Sequence, residues 1–192
     1  GFGDKESHTV YKGDVKNGKP NGLGVMIFPY DGWKYVGEFK DGEYHGNGKI
    51  TFTDLGQWEG EFQDGAPYNG SGYYIWPDGS NYEGEIINGF YQGEGIYIHP
   101  NGQKYVGSFK NSKYDGSGTM IFPDGSKYIG EWKNGEQNGQ GNFVNPNGIK
   151  YTGEYRNGLL NGQGVKTWQD GSTYQGEFKE GKENGQGTLT WS

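Results

Sequence analysis

Two kinds of side chain in this sequence could take part in acid–base or metal chemistry, and neither is spaced for it. The three histidines, His8, His45 and His99, fall at unrelated places with no ligand-like interval between any two. A carboxylate recurs at Glu38, Glu61, Glu85, Glu131, Glu154 and Glu177. A general acid and its partner base need two carboxylates in different environments, and a repeated position supplies equal ones. Such a row reads as a structural ladder, each Glu paired with a nearby Lys or with backbone amides. Glycine pairs such as Gly22/Gly24 and Gly116/Gly118 lack the following helix and the Lys-Ser/Thr of a nucleotide loop. The 192 residues include no cysteine, which removes disulfides, thiolate nucleophiles and cysteine metal sites. These residues imply no enzyme activity, no cofactor and no metal.

The carboxylates are regular because the chain is. The pattern aromatic-x-Gly-Glu-aromatic-x-x-Gly-x-x-x-Gly-x-Gly begins at Tyr11, Tyr35, Trp58, Tyr82, Tyr105, Tyr128, Tyr151 and Tyr174, at intervals of 24, 23, 24, 23, 23, 23 and 23 residues. A period of this size marks a repeat array. The extra residues of the longer units lie near Tyr30 and near Pro67–Tyr68, both expected to be absorbed at turns. Residues 1–10 read as the remnant of a preceding partial repeat. Residues 11–192 are eight repeats, and both ends read as cuts through a longer array, with room for a further domain, a catalytic one included, outside them.

Within a unit, Tyr128, Gly130 and Trp132 fall on one face of an extended strand, with Ile129, Glu131 and Lys133 on the other. Asn-Gly and Asp-Gly dipeptides favour tight hairpin reversals, and "PDG" or "PNG" (Pro123–Gly125, Pro146–Gly148) leads into the next unit. The composition agrees: 40 Gly, 16 Tyr, 10 Phe and 6 Trp against one Ala and five Leu favour strands over helices. The mean hydropathy of −1.00 would suit disorder, but the 17% aromatic content does not. The expected fold is all-β: an elongated single-layer antiparallel β-meander of about eight β-hairpins. Sixteen strands would extend roughly 75 Å at the usual strand spacing. The glycines leave room for rings to pack on backbone and on each other, at roughly 0.5–1.5 kcal/mol per aromatic pair beyond area burial.

The stretches "YIGEWKNGEQNGQG" and "YTGEYRNGLLNGQG" resemble the MORN (membrane occupation and recognition nexus) repeat family almost letter for letter. Departures are Trp58 for the leading Tyr, Ser108 for Glu, Ser112 for a turn glycine, Val15 and Ile86 for the second aromatic, and Lys166 within an apolar run. The resemblance implies a scaffold or peptide-binding module, a phospholipid-tethering module, or an accessory array of a larger enzyme.

Charge weighs among these. The chain carries −7 with a pI near 5.0, which disfavours nucleic acid and an anionic membrane, since lipid binding needs clustered cations. The lipid reading survives through lysines such as Lys127, Lys133 and Lys150. Residues 1–96 carry 7 basic and 15 acidic side chains, residues 97–192 carry 10 and 9. In the acidic half, Tyr44, Tyr68, Tyr91 and Tyr114 read as one loop position, with Phe90 beside Tyr91. The reading favoured is a non-enzymatic scaffold that binds a basic, partly apolar protein segment across repeats 2–5. Its contact residues are Tyr44, Tyr68, Phe90, Tyr91 and Tyr114, with Trp58, Phe62 and Tyr82 beneath or beside them. A last strand at Thr188–Trp191 would leave an open edge and invite self-association. No run is apolar enough for a signal peptide or a membrane helix, so the chain is expected to be cytoplasmic, reaching membrane or cytoskeleton through partners.

Overall fold

The computed structural model describes residues 9–192; the expected partial repeat at 1–10 lies, up to His8, outside the described residues. Sixteen antiparallel strands form one open sheet in which each strand neighbours the next in sequence. They are β1 Val10–Lys16, β2 Lys19–Phe28, β3 Trp33–Lys40, β4 Glu43–Phe52, β5 Gly56–Gln63, β6 Ala66–Ile75, β7 Asn81–Ile87 and β8 Phe90–Ile98. The later eight are β9 Lys104–Lys110, β10 Lys113–Ile121, β11 Lys127–Lys133, β12 Glu136–Val144, β13 Lys150–Arg156, β14 Leu159–Thr167, β15 Thr173–Lys179 and β16 Lys182–Thr190. Contacts divide the chain into two compact units. The first comprises residues up to Pro77 with Asn81–Tyr91; the second comprises Asp78–Ser80 with Gln92–Ser192.

Each repeat is one hairpin, closed by two residues that both hold positive φ. In the β11–β12 hairpin these are Asn134 (53°) and Gly135 (93°), with Lys133 opposite Glu136. Positive φ at both places is the type I′ turn, whose twist matches that of the strands. The β9–β10 turn keeps this geometry without the glycine, with Asn111 at φ 50° and Ser112 at φ 60°. A left-handed conformation costs an L-residue roughly 1–2 kcal/mol, partly offset because glycine loses more freedom on folding. Ser112→Gly is therefore expected to stabilise the chain by about 0.5–1 kcal/mol, read as a raised urea midpoint with unchanged slope.

The core is a face, not an interior. Tyr35, Tyr82, Tyr105 and Tyr128, the leading aromatics, are 0% exposed although the sheet is a single layer. Tyr35, Tyr105 and Tyr128 each lie over a glycine pair of their own hairpin: a Cβ on Gly141 would meet the Tyr128 ring at 2.5 Å, and one on Gly118 the Tyr105 ring at 2.5 Å. The phenol hydroxyl then donates to a backbone carbonyl three residues on, as from Tyr35 to Glu38 O (2.9 Å) and from Tyr128 to Glu131 O (3.1 Å). This satisfies a carbonyl at the bulge, where the ladder breaks between Gly130 and Trp132. The second aromatic meets the first edge-on within the repeat and also the leading ring of the preceding repeat: Phe178 lies 5.2 Å from Tyr174 and 5.0 Å from Tyr151. Ring burial therefore propagates from hairpin to hairpin.

The two extra residues behave differently. That near Tyr30 is taken up in the β2–β3 connection, closed by Gly32 N–H to Phe28 O at 2.8 Å. The one near Pro67–Tyr68 is not absorbed at the turn, which remains the two-residue Asp64–Gly65 reversal. It changes the register instead. The third hairpin pairs Gly60 with Gly70, the first glycine of its Gly-x-Gly, where the sixth pairs Gly130 with Gly141, the second. Trp58, which leads this hairpin, has no hydroxyl to reach the bulge, and its buried indole N–H finds no acceptor.

Candidate interaction surface

The repeated carboxylates have a structural task, and the partners of Glu38, Glu61 and Glu154 are backbone or asparagine N–H groups rather than lysine. Glu38 Oε1 accepts the Asn47 N–H at 3.0 Å, and Glu154 Oε1 accepts the Gln163 N–H at 3.3 Å. Glu61 Oε2 accepts from the Asn69 side chain at 2.6 Å. Neither salt bridge among the described residues, Lys49–Glu59 nor Lys166–Glu183, uses a member of this row. Where Ser108 replaces the Glu, the carboxylate comes from the facing strand, as Ser108 Oγ donates to Glu94 Oε1. Among the described residues no three His, Cys, Asp or Glu side chains converge as a metal would require.

The eight residues expected to bind a partner separate into three groups. Trp58, Phe62 and Tyr82 are at most 2% exposed and act as supports that nothing outside the sheet can touch. Tyr44, Tyr91 and Tyr114 form the second group. They are not loop residues: each is the second residue of an even-numbered strand. Each stacks on the leading tyrosine of its own repeat, Tyr44 on Tyr35 at 4.0 Å, Tyr91 on Tyr82 at 4.0 Å and Tyr114 on Tyr105 at 3.9 Å, with ring planes within 20°. The outer rings remain half-buried. Tyr44 and Tyr91 belong to the first unit and Tyr114 to the second.

Tyr68 and Phe90 make up the third group and do not join that row. Pro67, buried opposite Phe62, takes the place that Tyr44 holds opposite Phe39. Tyr68 lies instead against the β7–β8 turn, 3.8 Å from where a Cβ on Gly89 would stand, a place filled at other turns by Lys19, Glu43 or Leu159. Phe90, 49% exposed, precedes Tyr91 in the strand and so points to the opposite face. Ile87, at the other end of the same turn, is 42% exposed. Aligning residues by repeat position could not reveal this, because strand alternation assigns neighbours in sequence to different faces.

Two features of the site lay outside the sequence reading. Trp76 flanks the first-unit row, 6.4 Å from Tyr91 and 4.8 Å from Tyr74. In the second unit His99 Nε2 stands 2.8 Å from the Tyr114 hydroxyl. Burial pushes the Tyr114 phenol up to about 12 and moves the His99 ring below its ordinary value, with Asp78 opposing. The tyrosine row ends beyond Tyr114. Gln137, Leu160 and Glu183 take its place opposite Trp132, Tyr155 and Phe178, and Glu183 bonds Lys166, whose Nζ lies 4.8 Å over the Trp168 ring.

Repeated hairpins in one open sheet, with a row of rings on one face and backbone-bound carboxylates on the other, define a repeat-array protein. The MORN repeat pattern matches residues 11–29, 35–57, 58–81, 82–104, 105–127, 128–150, 151–173 and 174–192, and the chain belongs to the MORN repeat family. Among solved structures it is similar to the TCP domain of SAS-4 (dCPAP) from Drosophila melanogaster, determined with a proline-rich motif of Ana2 (dSTIL). That match has 14% identity over 96% of this chain and 90% of the other, at a TM-score of 0.35. The G-box domain of the microcephaly protein CPAP matches at 16% identity over 96% and 99% of the two chains, with a TM-score of 0.38. Family membership rests on the repeat matches.

Proposed function

We propose that this chain is a non-enzymatic protein-interaction scaffold whose first unit binds a basic, partly apolar protein segment over the outer rings of Tyr44 and Tyr91. The stacking of these rings on fully buried tyrosines carries the reading. A ring already fixed between neighbours loses little freedom when a partner covers it, and rigid aromatic anchors dominate binding energy. Both rings lie one residue inside the strand end that follows a type I′ turn. In a meander these turns share one edge, and in the first unit that edge carries Asp41, Glu43 and Asp64. An acidic rim beside an aromatic row speeds encounter with a basic partner.

The test uses synthetic peptides that alternate Lys or Arg with Leu or Phe, and matched peptides with Glu for the cations. The basic set should bind the chain and the acidic set should not. Changing Tyr44 and Tyr91 together to Leu, which keeps an apolar cover on the buried rings, should weaken binding by about 2 kcal/mol or more if they act as hot spots. Equal binding of the acidic set, or a footprint confined to residues 128–192, would overturn the reading.

A further inference from the structure

The face opposite the rings has an order of its own in the second unit. Of the ten basic residues between 97 and 192, Lys166 alone is placed by register on the aromatic face. Among the described residues the other nine find no ion-pair partner. Lys104, Lys127 and Lys150 occupy the same place in successive repeats, and the strands between them put aliphatics in that row. Lys104 is opposite Ile98 and Ile121, Lys127 opposite Ile121 and Val144, and Lys150 opposite Val144.

Two residues along each strand lies a second row on the same face. It contains Val106, Thr119 and Ile129, with Val106 38% and Ile129 47% exposed. Two residues further come Glu131 and Glu154, folded over Gly139 and Gly162 of the neighbouring strands. Between these carboxylates and the aliphatics runs a shallow groove of about 520 Å³, floored by the backbone of Gly107, Gly118, Gly130 and Gly141.

We infer that this groove docks an amphipathic α-helix of a partner protein, lying across the strands with acidic residues along the flank that meets Lys104, Lys127 and Lys150. The dimensions agree. The lysine and carboxylate rows are four residues apart along a strand, about 13 Å, and a helix with its side chains is about 10–12 Å across. Successive lysines are two strands apart, about 9.6 Å, against about 10.5 Å for seven residues of helix, a mismatch that flexible lysines absorb. Three lysines then span a helix of about 13 residues. The pattern also selects against a uniformly anionic surface. The carboxylate row would face such a surface directly, whereas a helix can present acids to one rim and neutral or basic groups to the other. The inference shares with the proposed function the premise that the chain binds proteins, but it uses another unit and the other face.

The probes are three synthetic helical peptides with a leucine stripe: one with Glu at heptad spacing along one flank, one with Lys at those positions, and one of the first composition with Glu off the heptad. A fourth probe is a phosphatidylserine–phosphatidylcholine vesicle. The first peptide should bind, and the variant Lys104→Gln/Lys127→Gln/Lys150→Gln should weaken it about tenfold with an unchanged melting temperature. A control variant, Lys110→Gln/Lys133→Gln/Lys179→Gln at the turn edge, and the Tyr44/Tyr91 variant should leave it within about twofold. Equal binding of the other two peptides overturns the inference, as does no binding of the first. Vesicle capture through Lys104, Lys127 and Lys150 without peptide binding would assign the row to lipid. Loss of this binding while basic peptides still bind through Tyr44 and Tyr91 would sink the inference and spare the proposed function; the reverse would do the opposite.

Discussion

Gly130→Val is expected to disrupt the sixth repeat, at a cost of about 3 kcal/mol or more. A Cβ at this position would stand 2.5 Å from Gln140 O, 2.5 Å from the Tyr128 hydroxyl and 2.6 Å from Gly141 Cα. Two of these three atoms are backbone, so no rotamer change relieves the clash. Gly130 and Gly141 are cross-strand partners, and parting them breaks the ladder and lifts the Tyr128 ring from its platform. Overpacking that side chains can accommodate costs about 1–3 kcal/mol; this substitution must also move the strand. Gly158→Asn provides the contrast. Nothing lies within 4 Å of its Cβ position and φ is 76°, a conformation asparagine tolerates, so its cost should stay below about 1 kcal/mol. Chemical denaturation of the two variants beside the parent checks the pair. Equal midpoints for Gly130→Val and the parent would mean the rings do not rest on bare backbone.

The fold was legible because two local signals agreed at every repeat. Alternation gave the strands and their faces, as for Tyr128, Gly130 and Trp132, and Asn-Gly or Asp-Gly gave the hairpin turns. The site was legible only in part. Tyr44 stands between Gly42 and Gly46, which reads as a loop between loop glycines. Gly42 closes the turn, but Gly46 belongs to the bulge, over which the Glu38 carboxylate folds. The loop thus ends at Gly42, four residues earlier than the glycine spacing suggests, and Tyr44 turns inward onto Tyr35. Tyr68 was misplaced for another reason. One added residue in a two-stranded hairpin can lengthen the turn, make a bulge or slide the register, and these differ in packing rather than in local preference. Pro67 has no N–H to give to a ladder, fits opposite Phe62 in the buried face, and carries Tyr68 to the other side. The lysine row was legible only in part: Lys127 and Lys150 stood out with Lys133, but that Lys104 and not Lys133 shares their row emerges only when alternation is followed across repeats as well as along each strand.

Trp132→Ala should cost about 3–5 kcal/mol, the range for removing a large buried side chain. Trp132 is 7% exposed and meets three rings edge-on: Tyr128 of its own repeat at 5.2 Å, and Tyr105 and Tyr114 of the preceding one, each at 5.4 Å. Its indole N–H donates to Gly118 O at 3.3 Å, in the neighbouring strand β10. Three of these four contacts cross a repeat boundary, so alanine removes coupling between repeats as well as area. In an array, stability is approximately a sum of repeat and interface terms. Weakening one interface should therefore lower the slope of the denaturation curve along with its midpoint, as the flanking repeats cease to unfold together. Trp132→Phe separates the contributions. It keeps a ring beside Tyr105 and Tyr128 but leaves Gly118 O without its indole donor, a loss of about 1 kcal/mol for the hydrogen bond. A phenylalanine variant as damaging as alanine would assign the residue's weight to that bond; an alanine variant that melts with the parent would mean the rings do not couple neighbouring hairpins. The same substitution also tests the tyrosine row. Tyr114 stacks on Tyr105 on one side and meets Trp132 on another, so losing the tryptophan should loosen an outer ring that no substitution has touched. Tyr44, in the first unit, should keep its stack on Tyr35.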